Sequence, residues 1–232
     1  MLAHFRPVLD FMLPPRCPGC GAIVEADHRF FAKCWDGLVF LTGGGCALCG
    51  APVPTAELIC GPCLLRPPRH DGVIAAVAYG EVARSVVLRL KYARRPGLAR
   101  TIAGVLRHRA PLDPAATLVP VPLHRWRLRS RGFNQSLAIA RALARGSGLA
   151  CDPALIARRR ATPSLRGLDP ATRRKTVQGA FRVRGNLAGG HIYLVDDVYT
   201  TGATANACAA ALKRAGAERV TTLCWARVTR HD

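Results

Sequence analysis

The chain has 232 residues, half of them hydrophobic, and a formal net charge of +20 that comes from 34 basic and 14 acidic residues. This length and composition indicate a soluble globular protein with one domain and a smaller module. No apolar run reaches the roughly 18 residues that suggest a membrane span, and the N-terminal residues lack the pattern of a secretory signal. We therefore expect a cytoplasmic protein with no membrane span.

The first 68 residues are rich in cysteine and contain an internal repeat. Seven of the ten cysteines lie between Cys17 and Cys63, and "CPGCGA" at 17–22 recurs as "CALCGA" at 46–51, an offset of 29. Each Cys-x-x-Cys-Gly is typical of a zinc knuckle, because two thiolates from one tight turn can bind one tetrahedral ion. The second copy is completed downstream, and this predicts a structural zinc site formed by Cys46, Cys49, Cys60 and Cys63.

The first copy lacks one cysteine, because the same offset maps Cys63 onto Cys34 and Cys60 onto Phe31. Two interpretations remain open. Either His28 completes a site with Cys17, Cys20 and Cys34, or the site is degraded and these three cysteines are small buried thiols. We expect one or two structural zinc ions and no catalytic zinc. Prolines 67 and 68 disfavour helix, so we place the domain boundary there, with domains at 1–68 and 69–232.

In the second domain, strand and helix patterns alternate along the chain. Such alternation predicts an α/β fold with a parallel sheet covered by helices, and ligands bind at the carboxyl ends of strands in such sheets. The patterns predict a strand at 73–79, helices at 82–93 and 98–110, a strand at 117–122, a helix at 134–148, a strand at 191–198, a helix at 203–217 and a strand at 219–228.

Basic residues are concentrated between Arg84 and Arg184, where 23 lysines and arginines face three acidic residues. This stretch predicts an anionic partner, and a polyphosphorylated small molecule, a nucleic acid or an anionic membrane would each satisfy it. A solvated surface remains the alternative for any single arginine. Between 125 and 131 arginine occupies every second position, and we favour Arg131, beside Gly132, as a ligand contact. We interpret His124 as a polar surface residue, and no general base emerges.

The predicted strand at 191–198 ends in Asp196 and Asp197, and "YTTGAT" then leads into the next helix. The turn's backbone N–H groups and the helix dipole converge on one point, and Gly202 permits close approach. This point suits a phosphate, while the carboxylates suit neighbouring sugar hydroxyls, so we predict a ribose 5-phosphate site. Aspartates that cap the next helix are the structural alternative. A Mg²⁺-binding phospho-acceptor site is the second.

The stretch "YLVDDVYTTGAT" resembles the phosphoribosyl pyrophosphate signature of type I phosphoribosyltransferases. Two further stretches, "LVPVPLHRWRLRSRGFNQ" at 118–135 and "TPSLRGLDPATRRKTVQGAF" at 162–181, extend the likeness. With the cysteine module, the chain resembles the ComF family of competence-associated proteins. That family usually has a cysteine where Phe31 stands. The resemblance implies a phosphoribosyltransferase-like parallel sheet covered by helices, preceded by a small double zinc-ribbon module.

The resemblance also implies roles for individual residues. Asp196 and Asp197 would bind the ribose hydroxyls, and Lys91, Arg129 and Arg131 would lie near the pyrophosphate, which carries Mg²⁺. The residues that would bind the 5-phosphate are Thr200, Thr201, Gly202, Ala203 and Thr204.

The implied function is phosphoribosyl pyrophosphate binding in the service of DNA uptake or processing during natural transformation, with single-stranded DNA and DNA-processing proteins as partners. Catalysis of phosphoribosyl transfer is left open by the sequence. Two alternatives remain: a salvage-type phosphoribosyltransferase that acts on a free base, and a non-catalytic ligand-sensing adaptor.

Overall fold

A computed structural model describes residues 14–42, 44–55, 58–92, 95, 97–109, 111–160 and 169–229. The N-terminal part consists of two knuckles, and an isolated bridge closes each of them, Arg16 with Ile23 and Gly45 with Pro52. A short helix follows each knuckle, α1 at Ala32–Asp36 and α2 at Gly61–Leu65.

The second part of the chain alternates strands with helices. Its elements in chain order are β1 (Gly72–Ala78), α3 (Glu81–Tyr92), α4 (Leu98–Arg107), β2 (Thr117–Pro120), α5 (Arg125–Arg131), α6 (Gln135–Ser147), β3 (Ala150–Cys151), β4 (Ile156–Arg158), α7 (Pro170–Val177), β5 (Phe181–Val183), β6 (His191–Tyr199), α8 (Ala203–Arg214) and β7 (Arg219–Arg227).

Five of these strands form one parallel sheet in the order β1-β7-β6-β2-β3. The predicted α/β class is therefore confirmed, and each predicted strand and helix of the second domain is present with boundaries shifted by a few residues. The central strand β6 alternates between two cores: Tyr193 and Val195 pack with residues of α3, α4 and α6, whereas Ile192 and Leu194 pack with residues of α8 and the β4–β5 hairpin. The sheet is thus covered on both faces.

Five elements of the second domain were not predicted from the sequence: the helices α5 and α7, the short strand β3 and the two strands of the antiparallel β4–β5 hairpin. Arg129 and Arg131 both belong to α5, which is a helix with defined ends. His124 accepts a hydrogen bond from the Trp126 N–H at its start, and Gly132 ends it in the left-handed conformation, φ 79°. His124 is only 8% exposed, so the interpretation of this histidine as a surface residue was wrong.

The zinc-ribbon part packs directly against the sheet and α3. Between the knuckles, Val39 O accepts from Ala78 N (2.8 Å) and Leu41 N donates to Ala76 O (3.2 Å), so this segment covers the free edge of β1. On α3, Ser85 Oγ donates to Gly19 O of the first knuckle (2.7 Å). The described helices include none that is long and apolar enough to cross a membrane.

Candidate functional site

Asp196 and Asp197 lie at the carboxyl end of β6, where the neighbouring helices bring polar partners to them. Lys91 Nζ, near the end of α3, is 2.7 Å from Asp197 Oδ2, and both side chains are largely withdrawn from solvent. Asp196 Oδ1 accepts hydrogen bonds from Ser136 Oγ in α6 (3.1 Å) and from the Asp197 N–H (2.9 Å). Three elements of the fold therefore meet at this carboxylate pair.

The Asp196 carboxyl has a perturbed affinity for its proton. Burial raises its pKa to about 7, and the neighbouring charge of Asp197 acts in the same direction, whereas the Asp197 N–H, Lys91 and Ser136 act against it. Near neutral pH, Asp196 is therefore distributed between its acid and carboxylate forms. A neutral Asp196 can donate a hydrogen bond to a ligand oxygen, and a charged one can accept from a hydroxyl.

The threonine turn follows directly after the aspartates. Thr200 and Thr201 are exposed, whereas Gly202 and Ala203 are buried and Thr204 is half-buried. Gly202 has φ 73° and precedes α8, whose first turn has no side-chain cap. The N–H groups at the start of this 12-residue helix lie beside two exposed hydroxyls, an arrangement that suits an anion.

The side chain of Tyr199 packs against this turn. A Cβ atom on Gly202 would overlap the Tyr199 hydroxyl, so the turn lies directly against the phenol. The same hydroxyl is 3.0 Å from Nε2 of buried His70, and the Arg227 guanidinium lies 5.1 Å from the centre of the Tyr199 ring. Burial lowers the pKa of His70 to about 4, so this imidazole is neutral at physiological pH.

The predicted basic residues are not all in one place. The Arg131 guanidinium lies 5.6 Å from the ring of Tyr92, the neighbour of Lys91, and donates to Gln135 Oε1 (3.3 Å). Arg129 instead lies 5.9 Å from the ring of Trp126, which is 66% exposed. The structure therefore brings Lys91 and Arg131 to the same end of the sheet and leaves Arg129 on the outer surface of α5.

A cleft of about 1090 Å³ opens between α5, α6 and β4. Asn134, in its wall, caps α6 and donates to Val121 O (3.1 Å), and Ser136, two residues later, contacts Asp196. The start of α6 therefore connects the wall of the cleft with the aspartate pair. Its described lining contains no aspartate or glutamate, and its arginines are Arg125, Arg131, Arg141, Arg158 and Arg159.

The second knuckle has the donors of a structural zinc site. The Sγ atoms of Cys46, Cys49, Cys60 and Cys63 lie within 4.8 Å of one another, a donor set that fits tetrahedral zinc. Burial raises the pKa of the Cys46 thiol, but backbone N–H groups, led by that of Cys60, outweigh it and lower the pKa to about 6. The thiolate form of Cys46, which is the form that binds metal, is thereby stabilised, whereas burial raises the pKa values of the Cys49 and Cys63 thiols.

The first knuckle gathers only three donors. The Sγ atoms of Cys17, Cys20 and Cys34 lie within 4.8 Å of one another. His28 is not part of this group among the described residues, and its Nδ1 is instead 2.9 Å from Thr101 Oγ1 in α4.

Comparison with known proteins agrees with these features. A profile described as the double zinc ribbon domain matches residues 8–64. The "DNA utilization protein YhgH" of Salmonella typhimurium is 35% identical over 78% of this chain and 83% of its own length. The "Competence protein F" of Haemophilus influenzae is 28% identical over 75% of this chain and 81% of its own. The chain belongs to the ComF family.

A more distant relative matches more of the chain. The "Competence protein ComFC" of Bacillus subtilis is 27% identical over 84% of this chain and 82% of its own length. The double zinc ribbon and the parallel sheet of this ComF family member are therefore both established, and the donor chemistry of the cysteine clusters supports structural zinc.

Sequence reasoning missed the residues that pack against the aspartates and the Gly202 turn or against their direct neighbours: Ser136, His70, Tyr199 and Arg227. Each acts through a partner far away in the chain; for example, His70 and Tyr199 are 129 residues apart. Tyr199 is adjacent to the predicted motif, and its position before Thr200 was the single local signal. The arginine-lined cleft was anticipated only as an excess of basic residues.

Proposed function

We propose that this ComF family protein binds phosphoribosyl pyrophosphate at the end of β6 and serves the uptake or processing of DNA. The main support for this ligand is the Asp196–Asp197 pair, which lies beside the exposed Thr200 and Thr201 and has Lys91 Nζ 2.7 Å from Asp197 Oδ2. The printed names of the relatives, which refer to competence and to DNA utilization, support the biological role. In this proposal residues 1–68 form the zinc module and residues 69–232 the ligand-binding domain.

Different residues bind different parts of the proposed ligand. The amides at the start of α8, with Thr200, Thr201 and Thr204, bind the 5-phosphate, since they offer donors around one point. Asp196 and Asp197 accept hydrogen bonds from the ribose hydroxyls. For the sugar to reach Asp197, the Lys91 ammonium exchanges this carboxylate for an oxygen of the pyrophosphate, and Arg131 lies near the same end of the sheet. Mg²⁺ would neutralise charge on the pyrophosphate.

If the protein is an enzyme, the reaction is a displacement at C1 of the ribose. The acceptor's nucleophilic atom forms a bond to C1 while the bond to the pyrophosphate oxygen breaks, and pyrophosphate leaves with the bonding electrons. The protein's contribution is to position the sugar and to stabilise the charge of the leaving group.

The cleft lined by five arginines favours an anionic second ligand, for which single-stranded DNA is our candidate. A phosphodiester backbone is attracted to such a surface without regard to sequence. Tyr92 and Trp126 are exposed nearby on α3 and α5, and they offer rings on which bases can stack. The proposed strand-binding face therefore adjoins the proposed sugar-phosphate site.

Calorimetric titration with phosphoribosyl pyrophosphate and Mg²⁺ tests the ligand. We expect saturable binding by the wild-type protein and none by the Asp196→Asn/Asp197→Asn double variant, with Asp36→Asn, an exposed carboxylate of α1, as the matched control. Undiminished binding by a folded double variant would reject the assigned site.

An acceptor screen for pyrophosphate release then separates the alternatives. Release with a free nucleobase would favour a salvage-type transferase. Release that depends on single-stranded DNA would favour DNA processing, and tight binding without release would favour a ligand-sensing adaptor.

A further inference from the structure

The two knuckles repeat one another in backbone detail, although the first lacks a cysteine. Cys17 N donates to Ala22 O (2.8 Å), and at the offset of 29 Cys46 N donates to Ala51 O (2.7 Å). Gly21 and Gly50, which end the two turns, both have positive φ, 84° and 65°. The first knuckle has therefore kept the turn that presents two thiolates to a metal.

Phe31 occupies the backbone position of the zinc ligand Cys60. Phe31 N donates to Cys17 Sγ (3.2 Å), and Cys60 N donates to Cys46 Sγ (3.3 Å). The two residues precede α1 and α2 in the same extended conformation. The backbone N–H of Phe31 thus points at a cysteine sulfur as that of Cys60 does, but the Phe31 side chain has no atom that can bind a metal.

The remaining donors of the first knuckle leave one tetrahedral position without a protein ligand from the described residues. The cluster holds three thiols, and His28 Nδ1 is engaged with Thr101 Oγ1 (2.9 Å). Cys17 and Cys34 are buried, whereas Cys20 is exposed, so one side of the cluster faces solvent. In the complete knuckle, the corresponding Cys49 is buried and contacts Arg227.

We propose that the first knuckle binds zinc through Cys17, Cys20 and Cys34 alone, and that its fourth ligand is exchangeable and comes from outside the protein. Zinc sites with three protein ligands keep the fourth position for water or a substrate. Here the ligand is solvent in the free protein, and a small nitrogen or thiolate ligand replaces it when present. The retained turn and the retained N–H group at Phe31 keep the three thiolates arranged for a metal.

Cobalt substitution makes the ligand set visible, because the visible absorption of Co²⁺ responds to the number of sulfur ligands. We expect two Co²⁺ per chain and a spectrum that is the sum of a four-sulfur and a three-sulfur site. Imidazole should shift the three-sulfur component in the wild-type protein. In Phe31→Cys both sites should show four-sulfur absorption, and imidazole should leave the spectrum unchanged.

Histidine variants decide whether the protein itself supplies the fourth ligand. We expect His28→Ala and His4→Ala to leave the cobalt spectrum unchanged; His4 lies outside the described residues. A change of the spectrum in either variant would overturn the proposal, as would a stoichiometry of one metal or a wild-type spectrum insensitive to imidazole. If Phe31→Cys fails to fold, the imidazole titration and the histidine variants still decide between these outcomes.

Discussion

Arg227, the last residue of β7, donates a hydrogen bond from its guanidinium to the carbonyl oxygen of Cys49, although 178 residues separate them. The same guanidinium lies 3.4 Å from Cys49 Sγ and covers the ring of Tyr199, on which the Gly202 turn packs. One buried arginine therefore connects a predicted zinc ligand with the proposed phosphate-binding turn.

Replacement of this arginine should weaken both sites that it joins. We expect Arg227→Met to lower the free energy of unfolding by about 1.5–3 kcal/mol, because it removes a buried charged hydrogen bond. The affinity for phosphoribosyl pyrophosphate should also fall, because Tyr199 loses the guanidinium against its ring. Thermal melting and calorimetry measure the two effects. Arg219→Met, an exposed change on the same strand, should alter neither.

Gly202 should tolerate no side chain. We expect Gly202→Ala to abolish binding of the ribose phosphate and to lower the melting temperature, because its Cβ would overlap Tyr199 and its φ is positive. Gly104→Ala in α4 is the control: nothing lies within 4 Å of the added Cβ, and alanine stabilises a helix interior by roughly 1 kcal/mol over glycine. Equal stability of the two variants would contradict the packing described.

The pH dependence of the free energy of unfolding should reveal the titration of Asp196. Its pKa is about 7 in the folded protein and 3.8 for an ordinary aspartate, so the folded state holds the proton more tightly. Wild-type stability should therefore decline as pH rises from 4 to 7. Asp196→Asn lacks this titration, so its stability should rise relative to that of the wild type as pH increases, by at least roughly 1 kcal/mol between pH 4.5 and 8.

Melting temperatures between pH 4.5 and 8 measure this difference, and the exposed Asp36→Asn serves as the control. Asparagine at 196 can still accept the hydrogen bonds from Ser136 and the Asp197 N–H, so the site's geometry is retained. A difference between wild type and variant that does not change with pH would contradict the raised pKa.

Binding of single-stranded DNA should depend steeply on salt. Affinity should fall by about 0.7 log unit per tenfold increase in salt for each phosphate neutralised. Arg141 and Arg145 are both exposed on α6, but only Arg141 lines the cleft. We therefore expect Arg141→Glu to weaken strand binding more than Arg145→Glu in a fluorescence anisotropy titration. Equal losses would indicate a diffuse basic surface and exclude the cleft as the binding site.

The sequence alone determined the elements whose signals are local. The knuckle cysteines lie within 18 residues of one another in the complete copy, and the aspartates, threonines and Gly202 follow one another across a single strand, turn and helix. Short-range periodicity and spacing are sufficient for such features. The α/β class, the grouping of the four cysteines of the second knuckle and the carboxyl-end position of the aspartate pair were all predictable for this reason.

The tertiary structure decided what surrounds these elements. In a parallel sheet every strand connection crosses over, so residues that meet at one edge come from distant parts of the chain. Ser136 is 60 residues from Asp196, and Arg227 reaches Cys49 only because β7 lies beside β1, against which the ribbon packs. Periodicity also missed α5, because its arginines alternate at a period of two while its caps, His124 and Gly132, define a helix.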